Sequence, residues 1–392
     1  MADEHIYTID DLRILLKDDP DINFFGIAAR PSHATEIDAA AHYLSDQGVA
    51  VKGIVYLLTD DLSEDNFHLD GLSIRIVHGS LQQKTSFLEK WKYKAYSYIR
   101  PFRRINPNKR TVYLVHHMFT AWLMLAVDEQ GCHSVWMLGD DGTGSYIVSD
   151  NAKDFFAYRK GLLPAGKVLT RPWRIFFEWF MSELTFSAQR KCKKAGRFID
   201  FRLFQKTDKG LEKNPKAFPY YLEEYRRNIP AGYELDKEQF RGTCILVTNN
   251  FQYDGLADDN ADYELYKQVT DIFNANGKKL VIKPHPHEED LERYKVLDFP
   301  VLLQSISQEA LLANLREDER PKYILGIFSS AMTNAYRIFG VPVICLAKIY
   351  LTKIDNTFLT DLLERFIKDN QDIFYFPETL DELSIFFGKS AC

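Results

Sequence analysis

Short β-rich runs and stretches of helical periodicity alternate twice along this chain, and that alternation restricts it to parallel sheets layered between helices. The first set of strand candidates is INFFGIAA (22–29), VKGIVYLLT (51–59), LSIRIVH (72–78), RTVYLVHH (110–117) and HSVWMLGDD (133–141). Between them lies helical periodicity such as HATEIDAAAHYLSDQG, which Gly48 stops. A charged stretch containing Pro and Gly (205–242) interrupts the pattern. It then restarts at TCILVTNN (243–250), KKLVIK (278–283), VLLQ (301–304), KYILGIF (322–328) and VPVICLA (341–347). The expected fold class is therefore α/β, with two Rossmann-like domains, residues 1–236 and 237–392, facing across a cleft. A chain of 392 residues is long enough for both. In doubly wound sheets ligands bind beyond the carboxyl ends of the strands, so polar residues at those ends are the candidates for chemistry.

Composition removes several classes of function. Five cysteines without CxxC spacing argue against a disulfide framework or a zinc knuckle and favour a reducing, cytoplasmic setting. The acidic start, MADEHIYTIDDLRILLKDDP, lacks the apolar core of a signal peptide, and no apolar run is long enough to span a membrane. A net charge of -6 and the lack of a binding module argue against nucleic acid as a partner. The positive charge is nevertheless gathered. Residues 90–110 carry eight Lys or Arg and no acid, and 171–197 join a Trp/Phe-rich segment to a basic tail. Either stretch reads as a water-facing helix side or as an electrostatic landing strip. On the second reading Lys92, Lys94, Arg103 and Arg104 would track an anionic acceptor, and 171–197 would dock peripherally on an anionic inner membrane face.

Three polar groups fall at predicted strand ends. Asp140-Asp141-Gly142 follows the first unit's last clear strand. Lys283-Pro284-His285-Pro286 follows a strand of the second, with prolines on both sides holding the imidazole in a stiff loop. Ser329-Ser330 ends another strand just before a helical run. Each has a plainer explanation: Asp-Asp-Gly as a turn, paired serines as a helix cap, Glu309 as an acid in a helix's first turn. Their order and spacing are more specific than any one of them.

That combination resembles the bacterial sialyltransferases of GT-B fold, including lipooligosaccharide sialyltransferases and polysialyltransferases. These share an acidic D/E-D/E-G motif, an HP motif and a paired-serine motif, here Asp140-Asp141-Gly142, His285-Pro286 and Ser329-Ser330. An ISxE pattern recurs as Ile306-Ser307-Gln308-Glu309, where such enzymes place a carboxylate on the nucleotide ribose. The resemblance covers the domain plan and about a dozen positions. It implies an inverting, metal-independent transfer of sialic acid from CMP-sialic acid to a cell-surface glycan, with no other cofactor.

Transfer from a CMP-activated sugar needs a base on the acceptor side and charge relief on the leaving side. Asp140 or Asp141 suits the first need, because a neighbouring carboxylate raises the pKa of one member of the pair. On the second, His285 can donate to the departing phosphate, Lys283 and Pro284 line the donor, and Ser329 and Ser330 offer hydroxyls and helix N-terminal N–H groups. The one DxD match, Asp19-Pro20-Asp21, precedes the first strand, so no metal is called for. Two other chemistries fit less well. A polyol-phosphate transferase using a CDP-linked donor would lean on a second histidine, for which His116-His117 is available. A CMP-Kdo transferase would use a donor with the same phosphate and carboxylate.

Overall fold

The structure, a computed structural model, describes residues 9–19, 21–59, 62–79, 111–115, 134–140, 189–207, 210–229, 233–249, 260–286 and 290–389, with a few isolated positions between them. The chain divides into two compact units, 1–224 and 225–392.

The first unit is built on a six-stranded parallel sheet. Its strands are β1 (Phe24–Ala28), β2 (Lys52–Leu57), β3 (Ser73–His78), β4 (Val112–Val115), β5 (Val135–Leu138) and β6 (Phe198–Asp200), in spatial order β3-β2-β1-β4-β5-β6. All five residues of β1, Phe-Phe-Gly-Ile-Ala, are buried, as a strand covered on both faces must be. Helix α1 (Ile9–Asp18) lays Leu12 and Leu16 into a cluster with Phe25, Ile27, Tyr56, Tyr113 and Trp136. Helix α2 (Pro31–Asp46) starts on a proline, whose missing N–H costs nothing there, and ends just before Gly48, at φ +79°. An antiparallel hairpin, β7 (Phe204–Thr207) with β8 (Gly210–Lys213), follows β6 and leads to α3 (Phe218–Arg227).

The second unit has a four-stranded parallel sheet of β9 (Cys244–Val247), β10 (Leu280–Lys283), β11 (Tyr323–Gly326) and β12 (Val343–Cys345), in order β10-β9-β11-β12. The crossover helix α4 (Ala261–Ala275) joins β9 to β10, and the short α5 (Gln308–Ala313) precedes β11. Helix α6 (Ser330–Phe339) follows β11 and stops at Gly340, φ +71°. At Gly326, the last residue of β11, a side chain's Cβ would come 2.9 Å from Met332 Sδ and 3.0 Å from the Val247 carbonyl, so only glycine lets α6 and β9 close on this point.

Both sheets are parallel and doubly wound, as the alternation predicts. The direction of winding reverses between β1 and β4 in the first sheet and between β9 and β11 in the second. Some predicted elements differ. VLLQ contributes only a bridge from Val301 to Ile282 and no strand. The stretch 205–242, read as a connector, contains most of the hairpin and all of α3. Strand β6 is three residues long and ends in an acid, too short for its alternation to stand out. No helix among the described residues is long and apolar enough to cross a membrane.

Candidate active site

Strand β10 delivers Lys283 to the carboxyl edge of the second sheet, and the chain turns there through Pro284-His285-Pro286. The His285 N–H donates to Thr248 Oγ1 at 2.9 Å, tying the loop to the end of β9. The carboxamide of Gln304 holds the loop from beneath: its Nε2 donates to the carbonyls of His285 (2.7 Å), Pro286 (2.8 Å) and Glu288 (2.9 Å). Lys283 Nζ donates to the carbonyls of Pro284 at 3.0 Å and Gln304 at 3.2 Å. The loop's carbonyls thus turn inward, two prolines restrict its backbone, and His285 is half-buried at the sheet edge. Burial pulls the Lys283 pKa down from 10.5 to about 8, against a smaller upward pull from Glu309. The structure therefore places this ammonium under the loop, as a brace.

The neighbouring residue, Asn249, fastens the other motif. Its Nδ2 donates to the Phe328 carbonyl, and its Oδ1 accepts from the Phe328 N–H at 3.3 Å. Its own N–H donates to Tyr266 Oη at 2.8 Å. The segment before Ser329 is thereby clasped across the switch point between β9 and β11. Ser329 is extended and caps α6, its Oγ accepting from the Ala331 N–H at 3.1 Å. Ser330, the first helical residue, has a hydroxyl with no protein partner among the described residues. A helix start of this kind presents N–H groups and the positive end of the helix dipole to an anion.

Glu309 sits in the first turn of α5, which Ser307 caps by accepting from the Ala310 N–H at 3.0 Å. Its Oε1 accepts from Asn334 Nδ2 at 2.7 Å. Asn334 lies one turn into α6 from Ser330, so a single helix joins the serine pair to the half-buried Glu309 carboxylate. The fold thus groups Lys283, Pro284, His285, Glu309, Ser329 and Ser330 within the second unit. Four residues that sequence reasoning passed over, Thr248, Asn249, Gln304 and Asn334, hold them there. For Thr248 and Asn249 a signal was available, in the abrupt polarity of Thr-Asn-Asn after a fully apolar strand. Gln304 and Asn334 left none.

In the first unit, Asp140 stands two residues beyond β5, also at a carboxyl edge, and is buried with 7% exposure. One carboxylate oxygen, Oδ2, accepts from the Leu203 N–H at 3.2 Å. The Asp140 N–H donates to Tyr221 Oη at 3.3 Å, so α3 also steadies this turn. Nearby at the end of β6, Asp200 pairs with the buried Arg202 through Nε–Oδ1 (2.8 Å) and Nη2–Oδ2 contacts. Asp141, His116-His117 and His287 lie outside the described residues, as do Lys92, Lys94, Arg103, Arg104 and most of 171–197.

A family model described as alpha-2,8-polysialyltransferase matches residues 77–348, more than two thirds of the chain. The chain belongs to the alpha-2,8-polysialyltransferase family. It is thus a glycosyltransferase, as the order of its motifs implied. No curated protein sequence matches it. Among solved structures, a UDP-glucose: anthocyanidin 3-O-glucosyltransferase in complex with UDP aligns over 93% of this chain and 89% of its own, at 11% identity and a TM-score of 0.52. A sialyltransferase from Photobacterium damsela aligns over 91% of this chain and 81% of its own, at 14% identity and a TM-score of 0.43. S. aureus MnaA with UDP aligns over 93% and 95%, at 10% identity and 0.45. The fold is GT-B.

Proposed function

We propose that this family member is an inverting sialyltransferase that takes its sugar from CMP-sialic acid, requires no metal for the transfer, and extends a sialylated glycan. The observation that carries the proposal is the pair of loops anchored by consecutive residues at the end of β9. Thr248 holds the His285 loop and Asn249 holds the start of the Ser329-Ser330 helix. One sheet edge thus brings together an imidazole suited to donating a proton and a helix start suited to an anion.

The reaction divides between these groups. The acceptor hydroxyl oxygen forms a bond to the anomeric carbon as the bond from that carbon to the CMP phosphate oxygen breaks. A single displacement of this kind inverts the centre. The acceptor's proton passes to a carboxylate of the Asp140-Asp141 pair, of which Asp140 is held in place by Leu203 and Tyr221. The phosphate leaves with a hydrogen bond or proton from His285, its charge met by the Ser330 hydroxyl and the N–H groups of α6. Glu309, oriented by Asn334, is suited to the ribose hydroxyls as an acceptor. The basic stretch 90–110 supplies attraction for an anionic acceptor, and 171–197 for an anionic membrane face.

The test is incubation of the full chain with CMP-sialic acid and either oligosialic or lactose-type acceptors, the products being followed by mass spectrometry. Stepwise additions to the oligosialic acceptor are expected, in EDTA as well as without it. Absence of transfer to either acceptor, with no CMP released, would refute the proposal.

A further inference from the structure

Away from these motifs, the first unit gathers a second group of ionisable side chains on three separate elements. Asp38 and His42 are four residues apart on one face of α2, His68 lies in the segment before β3, and Glu224 is on α3. Asp38 is fully buried and Glu224 is 2% exposed, while the His68 side chain keeps 30% of its surface open to solvent. His68 Nδ1 stands 3.7 Å from Asp38 Oδ2 and 3.5 Å from Glu224 Oε2. One donor atom from each of the three residues can be chosen so that all lie within 4.8 Å of one another.

Those separations are long for direct hydrogen bonds, which run about 2.7–3.2 Å. The two that involve His68 are close to the edge of a coordination tetrahedron, about 3.3–3.6 Å for donors about 2.0–2.2 Å from one ion, and the set as a whole, within 4.8 Å, would draw in on binding. The surroundings are arranged as around a ligand set. The His68 N–H donates to Asp38 Oδ2 at 2.8 Å, fixing that carboxylate. His42 Nε2 lies 2.8 Å from the His68 carbonyl; a carbonyl only accepts, so this nitrogen carries a proton and steers the His68 backbone. Two carboxylates are buried here, facing His68 and, 3.9 Å from Glu224 Oε1, His42 Nε2; a divalent ion would balance both carboxylate charges without either imidazole being protonated. Two carboxylate oxygens and one imidazole nitrogen form a donor set that zinc accepts readily, and His68 Nδ1 and Glu224 Oε2 are themselves buried.

We infer that Asp38, His68 and Glu224 bind a divalent cation, zinc by their donor chemistry, that pins α3 to α2 and to the segment before β3. The site is structural, takes no part in sugar transfer, and lies on the same helix as a residue that touches the turn after β5. Tyr221, which receives the Asp140 N–H, lies one helical turn before Glu224 on α3. The same two helices also meet through Tyr220, whose Oη donates to Asp46 Oδ2 at 2.9 Å and whose ring packs edge-on against Tyr43 at 5.5 Å. The ion therefore fastens one end of a contact whose other end is aromatic.

The experiment uses the untagged full chain, stripped with EDTA and then dialysed with zinc. Elemental analysis should find one zinc per chain, and the Tm of the stripped protein should rise on adding zinc, as for any ligand that binds only the folded state. His68→Ala and the near-isosteric Glu224→Gln should each weaken zinc binding by more than ~100-fold. His42→Ala, which removes the hydrogen bond to the His68 carbonyl and an imidazole 3.9 Å from Glu224 Oε1, should weaken it by about 10–100-fold. Should a variant fail to fold, the zinc content and Tm response of the unmodified chain still decide. If that chain neither retains zinc nor shifts its Tm, the cluster is an ion pair around a His68 imidazolium and the inference is overturned. Equal zinc binding by the unmodified chain and both folded variants would also overturn it, by placing the metal elsewhere.

Discussion

Lys283→Met removes the ammonium beneath the His285 loop while keeping most of the side chain's length. Lys283 is 3% exposed, and burial lowers its pKa from 10.5 to about 8 in the folded protein. The folded value lies below the unfolded one, so between them the unfolded chain binds more protons and stability rises with pH. Below about pH 8 the folded state bears the full cost of a buried ammonium; that cost fades as pH climbs toward the unfolded value. A gap of about 2.5 units corresponds to roughly 3 kcal/mol in total, of which about 2 kcal/mol falls between pH 7 and pH 9.5. The Met variant has nothing to titrate at this position. Urea unfolding of both proteins at the two pH values isolates the effect, because other titrating groups cancel in the difference. The wild-type protein should gain about 2 kcal/mol on the variant as pH rises. The Met variant also leaves the Pro284 and Gln304 carbonyls without this donor, an effect that changes the offset between the curves but not its pH dependence. If wild-type and variant stabilities ran parallel across the range, Lys283 would be charged and solvated, and the description of it as an internal brace would be wrong.

Three further substitutions address the proposed chemistry. Asp140→Asn preserves shape and the acceptor for Leu203 but removes the charge; kcat for transfer should fall by about 10²–10⁴ with CMP affinity nearly unchanged, and full activity in both this variant and Asp141→Asn would reduce the motif to a turn. His285→Ala should lower kcat by a similar ~10²–10⁴ while donor KM moves only a few-fold, and a dead His287→Ala beside an active His285→Ala would show the wrong histidine had been chosen. Asn249→Ala strips the clasp from Phe328 and should cost about 1–3 kcal/mol in urea unfolding and raise the Kd for CMP; unaltered CMP titrations would mean that the start of α6 is held by other contacts.

The fold was legible because parallel strands covered on both faces must be written as short apolar runs. β1, β9 and β10 are buried along their entire length and stand out as such in the sequence. The elements between 198 and 227 were not legible, for different reasons. β6 has three residues, and the hairpin's β8, Gly-Leu-Glu-Lys, carries one apolar side chain. Helix α3 hides its role in another way: its Tyr221 and Glu224 are buried, but an acid at a buried position reads in sequence as surface. That misreading also concealed the Asp38, His68 and Glu224 cluster. Its three members are separated by 30 and 156 residues, and only the packing of α3 brings the last to the others.

The same distinction separates the two halves of the candidate site. Reactive groups are legible where chemistry limits the choice of residue: few side chains exchange protons near neutral pH, and few begin a helix with a free hydroxyl. Positioning residues face no such limit, because any well-placed amide or hydroxyl can hold a loop. Which groups Thr248, Asn249, Gln304 and Asn334 hold was therefore set by geometry, and geometry appears only when β9, β10 and β11 lie side by side. The consequence is specific. Thr248 and Asn249 are adjacent in sequence but serve different motifs, so a change in the path of the chain after Val247 moves His285 and Ser329 together. A close-packed parallel sheet resists that motion, and Gly326 shows how little space remains at the switch point, where even a methyl group would meet the Val247 carbonyl at 3.0 Å. The stiffness that two prolines suggested for the His285 loop is thus shared by the whole carboxyl edge, where a leaving phosphate would need its proton donor and its anion-binding helix start held in fixed relation.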